Sequence, residues 1–141
     1  MAGYSGTPLP KKLGIKANHR TACIQAPPSF RETLGELPPG VVLRRGAGGS
    51  TAWDVIILFV ERRPDLEKRF AELAARLVAN GALWVAWPKR ASGKPTDLTE
   101  GSVREVGLAA GLVDNKVCAI DETWSGLRFV IRLKDRGEVP R

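Results

Sequence analysis

Histidine and cysteine are scarce in this sequence, and their scarcity narrows the chemistry first. His19 is the only histidine among 141 residues, and the two cysteines, Cys23 and Cys118, stand far apart. No C-x-x-C, H-E-x-x-H or G-x-S-x-G occurs, which argues against the usual zinc sites and serine-nucleophile enzymes. A lone His19 just ahead of an apolar run reads as a surface or packing residue. No catalytic and no metal-binding residue is therefore assigned. Both cysteines lie in apolar, strand-like runs and are expected to be reduced core residues. No run approaches the ~20 apolar residues that a membrane span requires. The amino-terminal "MAGYSGTPLPKKLGIK" has no apolar secretory core. A soluble, cytoplasmic chain with no membrane partner is expected. Acidic side chains are also few, 15 against 22 basic ones, for a net charge of +7. The imbalance is concentrated in residues 1–45, where seven cations (Lys11, Lys12, Lys16, Arg20, Arg31, Arg44 and Arg45) face two carboxylates, Glu32 and Glu36. Such a bias suits an anionic partner: a nucleotide, a phosphate or a nucleic acid.

What is present is the pattern of an α/β domain. Residues 1–18 carry Gly3, Gly6, Pro8, Pro10 and Gly14, too much punctuation for a long regular element. They read as an arm that can dock through Tyr4, Leu9, Leu13 and Ile15. Residues 19–133 form the domain and 134–141 a tail. "RTACIQA" (20–26) and "VVLRR" (41–45) read as short strands around a helix in "PPSFRETLGEL" (27–37). "WDVIILFV" (53–60) is apolar without alternation, as a central parallel strand must be when both faces are buried. The spacing of Leu66, Phe70, Leu73 and Leu77 predicts a helix over 64–81 that stops at Asn80-Gly81. "ALWVAW" (82–87) is another buried strand. "DLTE" (97–100) has capping-box spacing and opens a helix to about Gly111. "NKVCAID" (115–121) and "LRFVIRL" (127–133) read as strands. The alternation of the latter suits an antiparallel strand with one partly wet face. The fold class is α/β: a single three-layer Rossmann-like domain, mostly parallel, with an antiparallel carboxyl-terminal strand.

Ligands of open parallel sheets sit beyond the carboxyl ends of the strands. "QAPPSF", "RRGAGG", "VERRP", "WPKRASG" and "DETWSG" leave the sheet on that edge. Trp87 and Trp124 offer flat apolar walls there. Lys89, Arg90, Arg62 and Arg63 offer donors to an anion, and Ser92, Ser125, Asp121 and Glu122 can orient a polar ligand. With Tyr4, Lys11 and Lys12 from the arm, these residues make the candidate ligand site.

The order of elements over residues 53–133, from "WDVIILFV" through "ANGALWVAW" and "AAGLVDNKVCAID" to "TWSGLRFVIR", resembles the carboxyl half of class I S-adenosylmethionine-dependent methyltransferases. The resemblance implies a truncated version of that fold, with the last strand inserted into the sheet. Its first half implies a glycine-rich G-x-G-x-G after the first strand and an acidic residue closing the second. Here those places hold Gln25, Ala26, Pro27, Pro28 and Ser29, then Arg44 and Arg45. The prolines also lack N–H donors, so S-adenosylmethionine is not expected as cofactor. Nearly the whole chain, through "GYSGTPLPKKLGIK", "WPKRASG", "DLTE" and "DETWSGLRFVIR", also resembles a bacterial family of small proteins known only as a domain of unknown function.

The favoured expectation is a non-catalytic or cryptic binding domain for a small, anionic, nucleotide-like ligand. Three alternatives stand beside it. One is nucleic-acid binding through the basic arm with Arg44, Arg45, Arg62 and Arg63. Another is a divergent methyltransferase. The last is a self-associating, homodimeric module.

Overall fold

The apolar runs dictate the layers. In the computed structural model, which describes residues 6–136, strand β3 (Trp53–Phe59) sends Ile56 and Leu58 to one face and Val55, Ile57 and Phe59 to the other. Strand β4 (Leu77–Pro88) does the same, with Leu83, Val85 and Trp87 opposed to Trp84 and Ala86. Neither face can be left to water, so each is covered. Helix α3 (Arg63–Ala74) and helix α4 (Glu100–Ala109) lay Leu66, Phe70, Val103 and Val106 on the first face. Helix α1 (Leu9–Leu13) and helix α2 (Phe30–Leu34) lay Leu13, Phe30 and Leu34 on the second.

The sheet has six strands. Alongside β3 and β4 are β1 (Arg20–Ile24), β2 (Val42–Arg44), β5 (Leu112–Ala119) and β6 (Trp124–Ile131), in the order β2-β1-β3-β4-β6-β5. Pairings β1–β2, β1–β3 and β3–β4 are parallel; β6 runs antiparallel to both β4 and β5. The step from β1 to β2 and the step from β3 to β4 run in opposite directions along the sheet. Right-handed crossovers then require their helices, α2 and α3, to lie on opposite faces, and they do. A short helix α5 (Leu133–Arg136) follows β6. No helix among the described residues is long and apolar enough to cross a membrane.

Several boundaries differ from the sequence reading, each for a physical reason. Helix α3 stops at Ala74, and residues 77–81 belong to β4. Arg76 holds this turn: its carbonyl accepts from Trp53 N–H at 2.8 Å, and its guanidinium donates to the carbonyls of Ala47 and Gly49. Leu77 is buried opposite Trp53 across the ladder, not as the next turn of a helix. Gly81 is no helix stop. It lies at a β3–β4 irregularity, where a Cβ would stand 3.0 Å from the carbonyl oxygens of Trp53 and Asp54. Helix α4 is capped by Thr99, in a reciprocal box with Ser102, and not by Asp97. Asp97 instead accepts from Arg63 N–H at 2.7 Å and so caps α3 from a distant loop. Strand β6 is inserted between β4 and β5 and not left half wet. Leu133, expected on its apolar face, lies beyond the strand and is 77% exposed.

The segment read as an arm is packed where it is described. Leu13 and Ile15 are buried, and Trp84 Nε1 donates to the Leu13 carbonyl at 2.9 Å. Buried indole N–H groups usually take such an acceptor, and this bond ties α1 to the sheet.

The tightest seam lies between α4 and β6. A Cβ on Gly107 would run into the ring of Phe129, which is fully buried and edge-on to Phe70. Gly107→Ala, favourable for an isolated helix, is expected to destabilise the fold by about 1–3 kcal/mol through overpacking. Chemical denaturation of the two proteins checks this.

Candidate functional site

Direction reverses along the sheet between β1 and β3, so their carboxyl ends flank the crevice where open α/β sheets take ligands. Gln25, immediately after β1, is bent into this crevice with a left-handed φ of 61°. Its Nε2 donates to the Phe59 carbonyl at 2.7 Å and to Asp65 Oδ2 at 3.0 Å. One side chain thus ties the end of β1 to the end of β3 and to the first turn of α3. Burial works to raise the Asp65 carboxyl, but the bonds from Gln25 and Arg69, with the charges of Arg69 and Lys68, outweigh it and hold it below the ordinary aspartate value. Over this tie lies a cleft of about 480 Å³ walled by Pro27, Pro28, Phe59, Arg62 and Trp124.

A second cleft, of about 660 Å³, opens beyond β4. Trp87 forms its floor, Lys89, Arg90 and Ser125 border it, and Thr99 and Glu100 approach it from the start of α4. Lys94 lines both clefts and forms an ion pair with Glu61 at 3.2 Å, a bar between them. The intervening loop is held by its own hydroxyls. Ser92 Oγ donates to the Lys89 carbonyl at 2.7 Å, and Thr96 Oγ1 donates to the Glu61 carbonyl at 2.6 Å. Lys89 N–H donates to Thr123 O at 2.7 Å, which fastens the loop to the β5–β6 turn. Neither the Lys89 nor the Arg90 side chain has a hydrogen-bond or ion-pair partner among the described residues.

The residues singled out in the sequence do not line one cavity. Trp87, Lys89, Arg90 and Ser125 share the β4 cleft. Ser92 serves its own loop. Trp124 is not in a loop: it starts β6, is buried, and packs edge-on to Phe59 at 5.0 Å while walling the other cleft. Asp121 Oδ1 accepts from the N–H groups of Thr123 and Trp124 at 2.8 Å each, which closes the turn. Lys12 and Asp121 border a separate hollow of about 220 Å³ beneath Gly6 and Thr7. Lys11 lies on α1, away from the loops. Glu122 is exposed and borders none of these hollows. Tyr4 lies outside the described residues. Arg63 is committed to Glu67 and Glu105 at 2.9 and 3.1 Å, whereas Arg62 borders the switch-point cleft. Gln25 and Lys94 are the two site residues that sequence reasoning missed. Lys94 shares its loop with Lys89 and Arg90, which was a usable signal; a lone glutamine offers none.

The possible nucleophiles are quiet. Burial pushes the Cys23 thiol up to about 12. Burial also raises Cys118, against the opposing charges of Lys12 and Lys116. Both thiols are unpaired and protonated near neutrality. His19 Nδ1 accepts from Lys16 N–H at 3.1 Å in a local turn. Among the described residues no group of three or more His, Cys, Asp or Glu is placed to hold a metal.

This arrangement is the methyltransferase-like Rossmann class. A crystal structure of a SAM-dependent methyltransferase from Aquifex aeolicus superposes with a TM-score of 0.57 at 15% identity, over 86% of this chain and 87% of that one. Magnesium protoporphyrin IX methyltransferase from Synechocystis PCC 6803, crystallised with bound SAM, gives 0.56 at 9% identity, over 88% of this chain and 74% of that one. Methyltransferase from Pyrococcus furiosus gives 0.53 at 11% identity, over 86% and 78%. At these identities the likeness is one of fold. Residues 46–133 match the family described as "Protein of unknown function (DUF3052)", and the chain belongs to that family. Comparison with curated proteins finds no match.

The Gln25 tie makes a specific prediction. Gln25→Ala keeps the left-handed backbone and loses both hydrogen bonds, so it is expected to destabilise by about 1–2 kcal/mol. Gln25→Gly loses the same bonds but sheds the left-handed penalty, and should be the more stable variant by about 1 kcal/mol. Because Asp65 is held low in the folded state, this bond's share of stability is present above the ordinary aspartate range. It disappears as pH falls through the lower folded value. Urea unfolding of the three proteins checks the ranking; identical stability of the alanine and glycine variants would contradict the conformation.

Proposed function

We propose that this chain binds a small, anionic, nucleotide-like ligand in the cleft beyond β4, and that S-adenosylmethionine is not that ligand. The observation that carries the reading is the pair Lys89 and Arg90, which carry unneutralised charge at the mouth of a cleft floored by an indole. Their neighbours in this cleft and on the adjoining helix are engaged: Lys94 with Glu61, and Arg63 with Glu67 and Glu105. Two unpaired cations at the mouth of a cleft suit the phosphate of such a ligand.

The residues at the switch point do not fit a methyl-donor cofactor. The loop after β1 contains no glycine, and two of its residues, Pro27 and Pro28, have no N–H to offer. Gln25 occupies the gap that a backbone cradle would leave open. Strand β2 ends in Arg44, a donor, where ribose hydroxyls would need an acceptor. The divergent-methyltransferase reading rests on the likeness of fold alone.

Titration calorimetry with ADP and with S-adenosylhomocysteine separates the two readings. Binding of ADP is expected, weakened about tenfold or more by Lys89→Ala or Arg90→Ala, since each removes a charge-assisted contact. S-adenosylhomocysteine should give no heat at millimolar concentration. Heat from S-adenosylhomocysteine, or ADP binding indifferent to both substitutions, would overturn the proposal.

A further inference from the structure

Away from the carboxyl-edge loops, β5 and β6 bring like charges together. Their register places Lys116 directly opposite Arg128. Like charges in that relation repel. An irregularity between Asp114 and Lys116 makes Asn115 the extra residue of the strand. Asn115 Oδ1 accepts from Arg128 Nη1 at 3.2 Å. Arginine can only donate, so the amide oxygen must face it, and the two Asn115 N–H donors are left for other partners. Lys11 completes the rim from α1, around a hollow of about 270 Å³ that no carboxylate lines among the described residues. Asp114, the nearest acid in sequence, is turned away into an ion pair with Arg104 at 3.0 Å.

Lys116 and Arg128 are anchored by neutral acceptors. Lys116 Nζ donates to the Lys12 carbonyl at 2.9 Å, and Lys12 Nζ donates to the Ala119 carbonyl at 3.1 Å. The Lys116 bond uses one of its three ammonium donors and leaves its charge intact. Arg128 is half-buried, and burial first, then neighbouring Arg136, hold its guanidinium below the ordinary arginine value. The Asn115 amide that borders the hollow keeps its N–H donors, and the Lys11, Lys116 and Arg128 heads carry only donors. An anion with several acceptor oxygens would satisfy the donors and relieve the repulsion together.

We propose that the hollow bounded by Lys11, Asn115, Lys116 and Arg128 is a second anion site, sized for the phosphoryl group of a small phosphate monoester. It shares no residue with the cleft beyond β4 and does not depend on what that cleft binds. The test uses the full chain with inorganic phosphate as probe. Phosphate should raise the melting temperature above that in sodium chloride of equal ionic strength. With Lys89 and Arg90 both replaced by alanine, which silences the cleft beyond β4, Lys116→Gln, at an exposed position where folding is not at risk, should abolish the difference, as should Arg128→Gln. The double alanine background by itself should retain it. In that background, equal melting in phosphate and chloride, or a phosphate shift that survives Lys116→Gln, would overturn the site. So would stabilisation by a mixed-sequence oligonucleotide where phosphate gives none, because that response belongs to an extended basic surface.

Discussion

Everything in this molecule follows from two adjacent strands that cannot show either face to water. In β3 and β4 every residue from Val55 to Phe59 and from Ala82 to Trp87 is buried. Burial of this kind, at about 25 cal/mol per Å² of apolar surface, demands a helical layer on both sides. Trp84 adds a polar tie, because its indole N–H reaches an acceptor under one of those layers. It finds Leu13, and so draws the amino-terminal segment onto the sheet. Right-handed crossovers then set α2 and α3 on opposite faces, and the reversal between β1 and β3 opens a crevice at the carboxyl edge. The place of the site is thus a consequence of core burial.

The treatment of that crevice distinguishes this chain from the methyltransferases it resembles in fold. Where a glycine loop would leave room for a ligand against bare backbone, a glutamine side chain ties the strands together. The polar groups of the edge are largely consumed in holding loops: Ser92, Thr96, Asp97 and Asp121 each bond backbone groups of their own or a neighbouring loop. Residual charge therefore collects where no loop needs it, at Lys89 and Arg90 and, separately, around Lys116 and Arg128. The net charge of +7 is a property of the whole chain; these two clusters are two places where cations gather beside a hollow.

The sequence made the layered α/β class, the central strand and the five edge loops legible, because continuous apolar runs and Pro/Gly punctuation report burial and turning directly. It misplaced the end of α3, because Leu66, Phe70, Leu73 and Leu77 satisfy helical spacing whether or not Leu77 belongs to the helix. The decision lay with Arg76 and its bonds to residues far away in sequence. It gave Asp97 to the wrong helix for the same reason: a cap can come from a distant loop. It suggested that the inserted β6 was partly wet, since alternation cannot reveal which strands flank it. Lys11, a cation of the same segment as Lys12, rims the hollow at Asn115, Lys116 and Arg128, while Lys12 borders Asp121 at the β5–β6 turn; charge alone does not separate the two. Gln25 was invisible, because nothing in a lone glutamine announces a positive φ or the two acceptors it reaches.

The central claim is that a methyltransferase-like fold here holds an anion beyond β4 in place of a methyl donor at the switch point. A native mass spectrum of the gently purified full chain tests it most directly. The account predicts retained mass from a small phosphorylated compound, reduced when Lys89 and Arg90 are both replaced by alanine. A chain carrying an S-adenosyl compound, or one that is bare however gently it is prepared, would contradict it.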